Sequence, residues 1–343
     1  MSTTKSNILG ALLAIFSSIA LFRLVVYIFK IENYIRLTEA SLGVTTGHPF
    51  WKTFQSRVLG PYAIKALTFG SMDYYLTAHI WFHIATVAIA AFLCWRLGRT
   101  YGGSDQSALL GLTVFVLCFA LLLSPPWLYS WDFLDIIVFI MFIDFVLSGK
   151  SLPWFIGLFA VAIWNRDSAL FIALWLILDP LVHFFYRRRY KLPKIPLDWR
   201  RILAGAICIA AGLLIVELLK RNLLIEEMGP KLYPNSPINS GNRYNLVLPW
   251  NIDLLKQSLT RFSYEFWISV PVFLTMVTVL GACVARRDPQ RYLAIYLVKL
   301  ALLVSLLLFS WFYETRVYLI LIPFVVMSAV LLSSPKTTET KTP

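Results

Sequence analysis

Long apolar runs separated by short polar stretches recur along the chain. Their lengths and periodicity predict ten helical spans, at residues 8–29, 74–97, 107–124, 131–147, 152–164, 168–186, 202–219, 266–284, 292–310 and 315–332. Strict alternation of apolar and polar residues is absent, which argues against an outer-membrane barrel. The expected fold is an all-α polytopic membrane protein with about ten transmembrane helices, one domain over residues 1–343. The first run follows Lys5. It is longer than a signal-peptide core and lacks a small-residue cleavage site, so it is read as a helix of the mature protein.

Two polar-containing segments are long, 30–73 and 220–265, and a short tail covers 333–343. In the first, Phe54, Val58, Leu59, Tyr62, Ala66 and Leu67 recur at helical spacing, with Lys52, Arg57 and Lys65 between them. That pattern predicts amphipathic helices lying in the membrane interface, broken at Gly60-Pro61. In the second, residues 229–249 are rich in Pro, Asn, Ser and Gly and predict an irregular loop, either a lid or a linker.

Charge fixes the expected orientation. Of the 343 residues 59% are hydrophobic and 14% charged, yet the net charge is +13, so the basic residues must be concentrated. They lie in alternate loops: Arg96 and Arg99; Lys150; Arg187, Arg188, Arg189, Lys191, Lys194, Arg200 and Arg201; Arg286, Arg287 and Arg291; then Lys336 and Lys341. The positive-inside rule puts these loops, and both termini, in the cytoplasm. The basic excess is therefore read as orientation signal and lipid-headgroup contact, and no nucleic-acid partner is expected. Cys94, Cys118, Cys208 and Cys283 all fall in apolar runs and are expected to be buried thiols. His79 and His83, four residues apart, have no third ligand placed to complete a metal site, and packed histidines are expected instead.

The opposite, outer side collects carboxylates, arginines and aromatics. It holds Ser124-Pro125-Pro126-Trp127-Leu128-Tyr129-Ser130-Trp131-Asp132-Phe133-Leu134-Asp135, then Asn165-Arg166-Asp167, then Trp311-Phe312-Tyr313-Glu314-Thr315-Arg316. Glu32, Arg36, Glu39, His48 and Arg57 come from the first long segment and Arg243 from the second. The span 152–164 has only thirteen residues, about 20 Å of a ~30 Å apolar core. Asp132, Asp135 and Arg166 are thus expected below the outer headgroups, where polar groups surround a protein-lined cavity or the bilayer thins. Every second span begins on that side, so its helix dipole favours an anion there. Arg57, Arg166, Arg316, Asn165, Arg243 and Glu314 are candidates for holding a phosphate or its partners. Glu39, Glu32, Asp132 and Asp167 are candidate bases toward a hydroxyl. Local roles compete with these: Asn165, Asp167 or Asp132 as helix N-caps, and Glu314 with Arg316 as an ion pair.

Three stretches carry a resemblance to the C-type glycosyltransferase superfamily, multi-spanning enzymes that take a sugar from a polyprenyl-phosphate carrier on the outer side of the membrane. Phe54-Gln55-Ser56-Arg57-Val58-Leu59-Gly60-Pro61 resembles an Arg-x-Leu-x-Pro pattern of small bacterial members. Asn165-Arg166-Asp167-Ser168-Ala169-Leu170-Phe171 resembles an Asn-Arg-acidic turn, and Glu314-Thr315-Arg316-Val317-Tyr318 with Pro323 a Glu-x-Arg-x-Tyr…Pro pattern that opens a late helix. A long outer loop with interfacial helices after the first span adds a likeness of layout. The resemblance implies a glycosyltransferase of the bacterial cytoplasmic membrane, with a polyprenyl-phosphate-linked sugar and membrane lipid as partners. A divalent cation requirement stays open. The superfamily places its catalytic acidic residue, often Asp, just after the first helix. This chain has Glu32 and Glu39 there and no Asp before Asp73. The base is then one of those glutamates or Asp132, or the branch lacks transferase activity. Polymerase or ligase action on lipid-linked glycans, and a transporter or flippase for a lipid-linked sugar, are the alternatives. A transporter would carry charge at mid-membrane, where Asp144, Glu217 and Lys299 are the few candidates.

Overall fold

Apolar runs of this length leave the backbone one way to satisfy its hydrogen bonds away from water, and every regular element among the described residues is a helix. The computed structural model describes residues 3–46, 57–69, 71, 73–123, 128–193, 196–223, 248–249, 251–253, 256, 264–310 and 314–334. The elements are α1 (Thr3–Phe29), α2 (Ile31–Thr46), α3 (Leu59–Leu67), α4 (Tyr75–Gly102), α5 (Asp105–Leu121), α6 (Ser130–Leu147), α7 (Leu152–Ala162), α8 (Leu170–Arg189), α9 (Trp199–Leu223), α10 (Tyr264–Arg287), α11 (Pro289–Phe309) and α12 (Ile322–Ser333). Single 3-10 segments, Asp167–Ala169 and Thr315–Leu321, lead into α8 and α12.

A helix forms at each of the ten expected spans, and seven are long and apolar enough to cross a membrane. The other three fall short for identifiable reasons. α5 has 17 residues and α7 has 11, while the 18 residues of α6 contain Asp132, Asp135 and Asp144. The protein is thus all-α and membrane-embedded, with three of its apolar helices too short or too charged to qualify alone.

Burial separates the central helices from the peripheral ones. The span Thr315–Ser333 is 89% buried, whereas Trp199–Leu219 is 17% buried, so α12 is a central pillar and α9 shows most of its surface to the surroundings. α6 is the second pillar: Phe139 meets Phe324 of α12 at 5.9 Å, and Phe142 meets Trp175 of α8 at 5.6 Å, edge to face. α4 and α5 pack backbone to backbone. A Cβ on Gly98 would meet the Ser107 carbonyl, and one on Gly111 would lie 2.6 Å from the Cys94 carbonyl.

One expectation changes here. Cys94, Cys118 and Cys208 are buried, but Cys283 is exposed, because α10 turns that face away from the bundle. Residues 47–56, where the first of the interfacial helices expected before Gly60-Pro61 would lie, are outside the described residues. Pro61 sits in the first turn of α3, where its missing N–H has no intrahelical partner to lose, so the pair starts the helix. α2 follows α1 after a single turn at Lys30, whose φ is 62°.

The two ends of the bundle differ chemically. At one end Arg99 bonds Ser6 and Asp105, and Tyr101 bonds Asp144. Arg287 bonds the carbonyls of Leu331 and Ser334, and Arg291 reaches the Leu147 carbonyl. This is the basic end, to which the α8 C-terminus with Arg187, Arg188 and Arg189 also belongs. The other end holds the N-termini of α6, α8 and α12.

Candidate functional site: a buried arginine–carboxylate cluster

The cluster grows from the first turn of α6. The backbone N–H of Tyr129 donates to Asp132 Oδ2 at 3.0 Å, closing the helix start as half of a capping box. Asp132, 1% exposed, does more than cap. Arg166 Nη1 donates to its Oδ1 and Arg316 Nη1 to its Oδ2, each at 3.4 Å. One carboxylate thus lies between two guanidiniums.

Asp135 is one turn further along α6 and shares the face of Asp132, as an i,i+3 pair must. It accepts from Asn165 Nδ2 at 2.8 Å, Ser168 Oγ at 3.3 Å and Arg166 Nη1 at 3.3 Å. Asn165 also donates to the Trp131 carbonyl at 2.9 Å. Expected caps at the α7–α8 turn therefore do not form: Arg166 holds the N-cap position with no side-chain cap bond, because Asn165 turns across to α6.

Arg57 arrives from a third element. The N–H groups of Val58 and Leu59 both donate to the Trp164 carbonyl at 3.0 Å, which docks the start of α3 on the α7–α8 turn. A Cβ on Gly60 would lie 2.9 Å from Ser130 Oγ, so only glycine lets α3 approach α6 this closely. Ser130 in turn bonds Ser41 of α2, and Ser41 bonds Tyr75 of α4. The guanidinium of Arg57 stands over the Trp131 ring at 5.4 Å, and that of Arg316 over Tyr129 at 4.6 Å. The two rings stack on each other at 4.7 Å, so an aromatic pair carries a cation at each ring. Burial, and then the repulsion of Arg166 and Arg316, lower the Arg57 guanidinium to about 10, which leaves it cationic at neutral pH.

The sequence-predicted residues thus divide into four groups. Arg57, Arg166, Arg316, Asn165 and Asp132 converge. Glu314, 31% exposed, pairs with Arg316 at 2.8 Å on the cluster's edge, and Asp167 is exposed but near enough to act electrostatically on Arg57. Glu32 and Glu39 are exposed on α2, on the face opposite Tyr34, Leu37 and Ser41. Arg243, His48 and the lid expected around 229–249 lie outside the described residues. Asp135, Ser168, Tyr129 and Trp131 were not among the candidate ligands. For Asp135 the signal was its three-residue spacing from Asp132.

Depth follows from helix length. From Asp135 to Leu147 along α6, and from Leu152 to Asn165 along α7 and its turn, the rise is about 18–20 Å. The cluster thus stands about 18–20 Å from the Gly149-Lys150 turn, less than the ~30 Å of a usual apolar core. His79 and His83 are packed under α2, where both face the Tyr34 hydroxyl, at 2.9 and 3.5 Å. Among the described residues no group of three or more His, Cys, Asp or Glu is placed to hold a metal ion. No family model, curated protein or solved structure matches the chain.

Proposed function

We propose that the cluster is the phosphate site of a membrane glycosyltransferase that takes a sugar from a polyprenyl-phosphate carrier on the extracytoplasmic face. The observation that carries this reading is the placement of Asp132. Its carboxylate lies between Arg166 and Arg316, in the first turn of α6 and beside the 3-10 turns that lead into α8 and α12, with Arg57 close by. An arriving phosphate would find the same donors. The contacts of Arg166 and Arg316 to Asp132 and Asp135 are 3.3–3.4 Å, against roughly 2.7–2.9 Å for tight charge-assisted bonds. Such loose pairs are ready for exchange. As a sugar leaves, charge grows on the phosphate, and guanidiniums fixed in a dry site stabilise it.

In this mechanism Asp132 and Asp135 hold the arginines in place. Both Asp132 oxygens are already engaged, so the acceptor hydroxyl loses its proton to a carboxylate with an open oxygen. Glu314 and Asp167 border the cluster, whereas Glu32 or Glu39 would act from α2. The concentration of Arg96, Arg99, Arg187, Arg188, Arg189, Arg286 and Arg287 at the far end supports a cytoplasmic location for that end and for both termini, in a bacterial inner membrane.

Orientation is tested with Ser151→Cys at the basic end and Ser71→Cys near α3, labelled in intact cells by an impermeant thiol reagent. Ser71→Cys should react and Ser151→Cys should not; the reverse pattern removes the outer-face argument. Activity is tested in liposomes holding a radiolabelled polyprenyl-phosphate sugar. Arg166→Lys and Arg316→Lys keep the charge but lose the planar fork, and each should lower transfer by about 10²–10³-fold without unfolding the protein. Unchanged transfer in both variants overturns the site. Movement of the lipid-linked sugar across the vesicle with no cleavage favours the transporter alternative.

A further inference from the structure

One cavity lies away from the cluster. About 520 Å³ in volume, it lies between the second half of α8 and the start of α11, at the basic end, lined by Leu178, Val182, Phe185, Arg189 and Leu293 among others. Its size is that of an ordinary ligand site. From Leu178 to Tyr190 the groove follows α8 for about 18 Å, one leaflet of a ~30 Å apolar core plus the start of the headgroups. The deep part is aliphatic, while the shallow end has Tyr186, Tyr190 and Arg189.

Charge at the shallow end is predominantly basic. Arg187, Arg188 and Arg189 form the last turn of α8. Asp179 pairs with Arg201 at 2.8 Å, while Asp198 and Asp288 cap helix starts by accepting from the Arg201 and Arg291 backbone N–H groups at 3.2 and 3.1 Å, and none of the three pairs with Arg188 or Arg189. Arg187 itself donates to the Pro193 carbonyl, while Arg188 and Arg189 are exposed and, among the described residues, meet no carboxylate. An apolar slot one leaflet deep, ending in arginines that no protein anion neutralises, matches a molecule with an acyl chain and an anionic head.

We propose that this groove binds an anionic phospholipid, with an acyl chain along Leu178, Val182 and Leu293 and the phosphate at Arg189 and Arg188. The site is separate from the arginine–carboxylate cluster and rests on no assignment made there.

The test uses the full chain in detergent, exchanged into nanodiscs of phosphatidylcholine with one-fifth phosphatidylglycerol, then stripped with detergent and weighed by native mass spectrometry. Retained phosphatidylglycerol, enriched over phosphatidylcholine, is expected. Arg189→Gln should lower retention about fivefold, the factor for one basic residue near an anionic leaflet, and Leu293→Trp should fill the groove and abolish it. Arg200→Gln, a basic residue outside the groove, should leave retention unchanged. Equal loss in Arg189→Gln and Arg200→Gln overturns the proposal, since the attraction would then be diffuse. Equal retention of the two lipids in the native protein overturns it as well. Arg189 is exposed, so its variant stays informative even if Leu293→Trp does not fold.

Discussion

Arginine is used at both ends of this bundle, and the two uses obey different physics. At the cluster, the side chains of Arg166 and Arg316 are 8% and 7% exposed and bond carboxylates that are themselves buried. At the basic end, Arg188, Arg189 and Arg200 are exposed and hold no helix to another. A buried guanidinium needs its counter-charge because water has been removed, so deleting one partner strands the other. An exposed one keeps its hydration and contributes little to folding, and is free to meet headgroups. Residue type therefore says little until the depth is known.

The largest break in that contrast should come from Asp132→Ala, which leaves Arg166 and Arg316 facing each other without the shared anion. A loss of about 3–5 kcal/mol is expected, read as a lowered unfolding midpoint in detergent. A midpoint within a degree of the native protein would mean that water reaches the pair, contrary to its burial. Asn165→Ala comes next. It removes two donated bonds, to the Trp131 carbonyl and to Asp135, and should lower stability by about 1–3 kcal/mol, measured the same way. If it proves neutral, Arg166, Ser168 and the Trp164 carbonyl hold the α7–α8 turn without it.

Smaller still is Gly60→Ala. The added methyl must move Ser130 by a few tenths of an ångström, so about 1 kcal/mol is expected. A double-mutant cycle with Ser130→Gly should recover most of it, and additivity in that cycle would deny the contact. Arg188→Gln completes the comparison at the basic end. Its effect on the midpoint should stay within about 0.5 kcal/mol, and a drop as large as that of Asp132→Ala would erase the distinction between the ends.

How much of this was legible in the sequence varies with the element. The helices were, because runs such as 202–219 have no other way to satisfy their backbone. The turn Asn165-Arg166-Asp167 stood out because three polar residues interrupt two apolar runs. The convergence of Arg57 with Arg166 was legible only as a shared side. What joins them is the Trp164 carbonyl, a backbone acceptor that leaves no mark in the residue pattern. Glu32 and Glu39 were placed by chain position alone. Their helical phase was hidden because the buried face of α2 carries Thr38, Ser41 and Thr45, polar residues that blur the amphipathic signal. Tyr129 and Trp131 stood only within an aromatic-rich outer stretch, and nothing in their spacing announced that each would carry a guanidinium.

The shortness of α7 has a consequence for the lipid around it. Trp154 and Trp164, near its two ends, are both exposed, at 56% and 43%, and Lys150 lies over the Trp154 ring. Exposed tryptophans settle where hydrocarbon gives way to water, and these two are ten residues apart, about 15 Å along the helix. Along this one sector the protein therefore asks the bilayer to be about half its usual thickness. An elastic film meets such a demand by dimpling, at fractions of a kcal/mol per ångström. The dimple lowers the headgroups beside α7 toward the level of Asn165 and Arg166. Under the proposed function, a lipid-borne phosphate would then reach the cluster from the side, drawn down by the shape of the membrane.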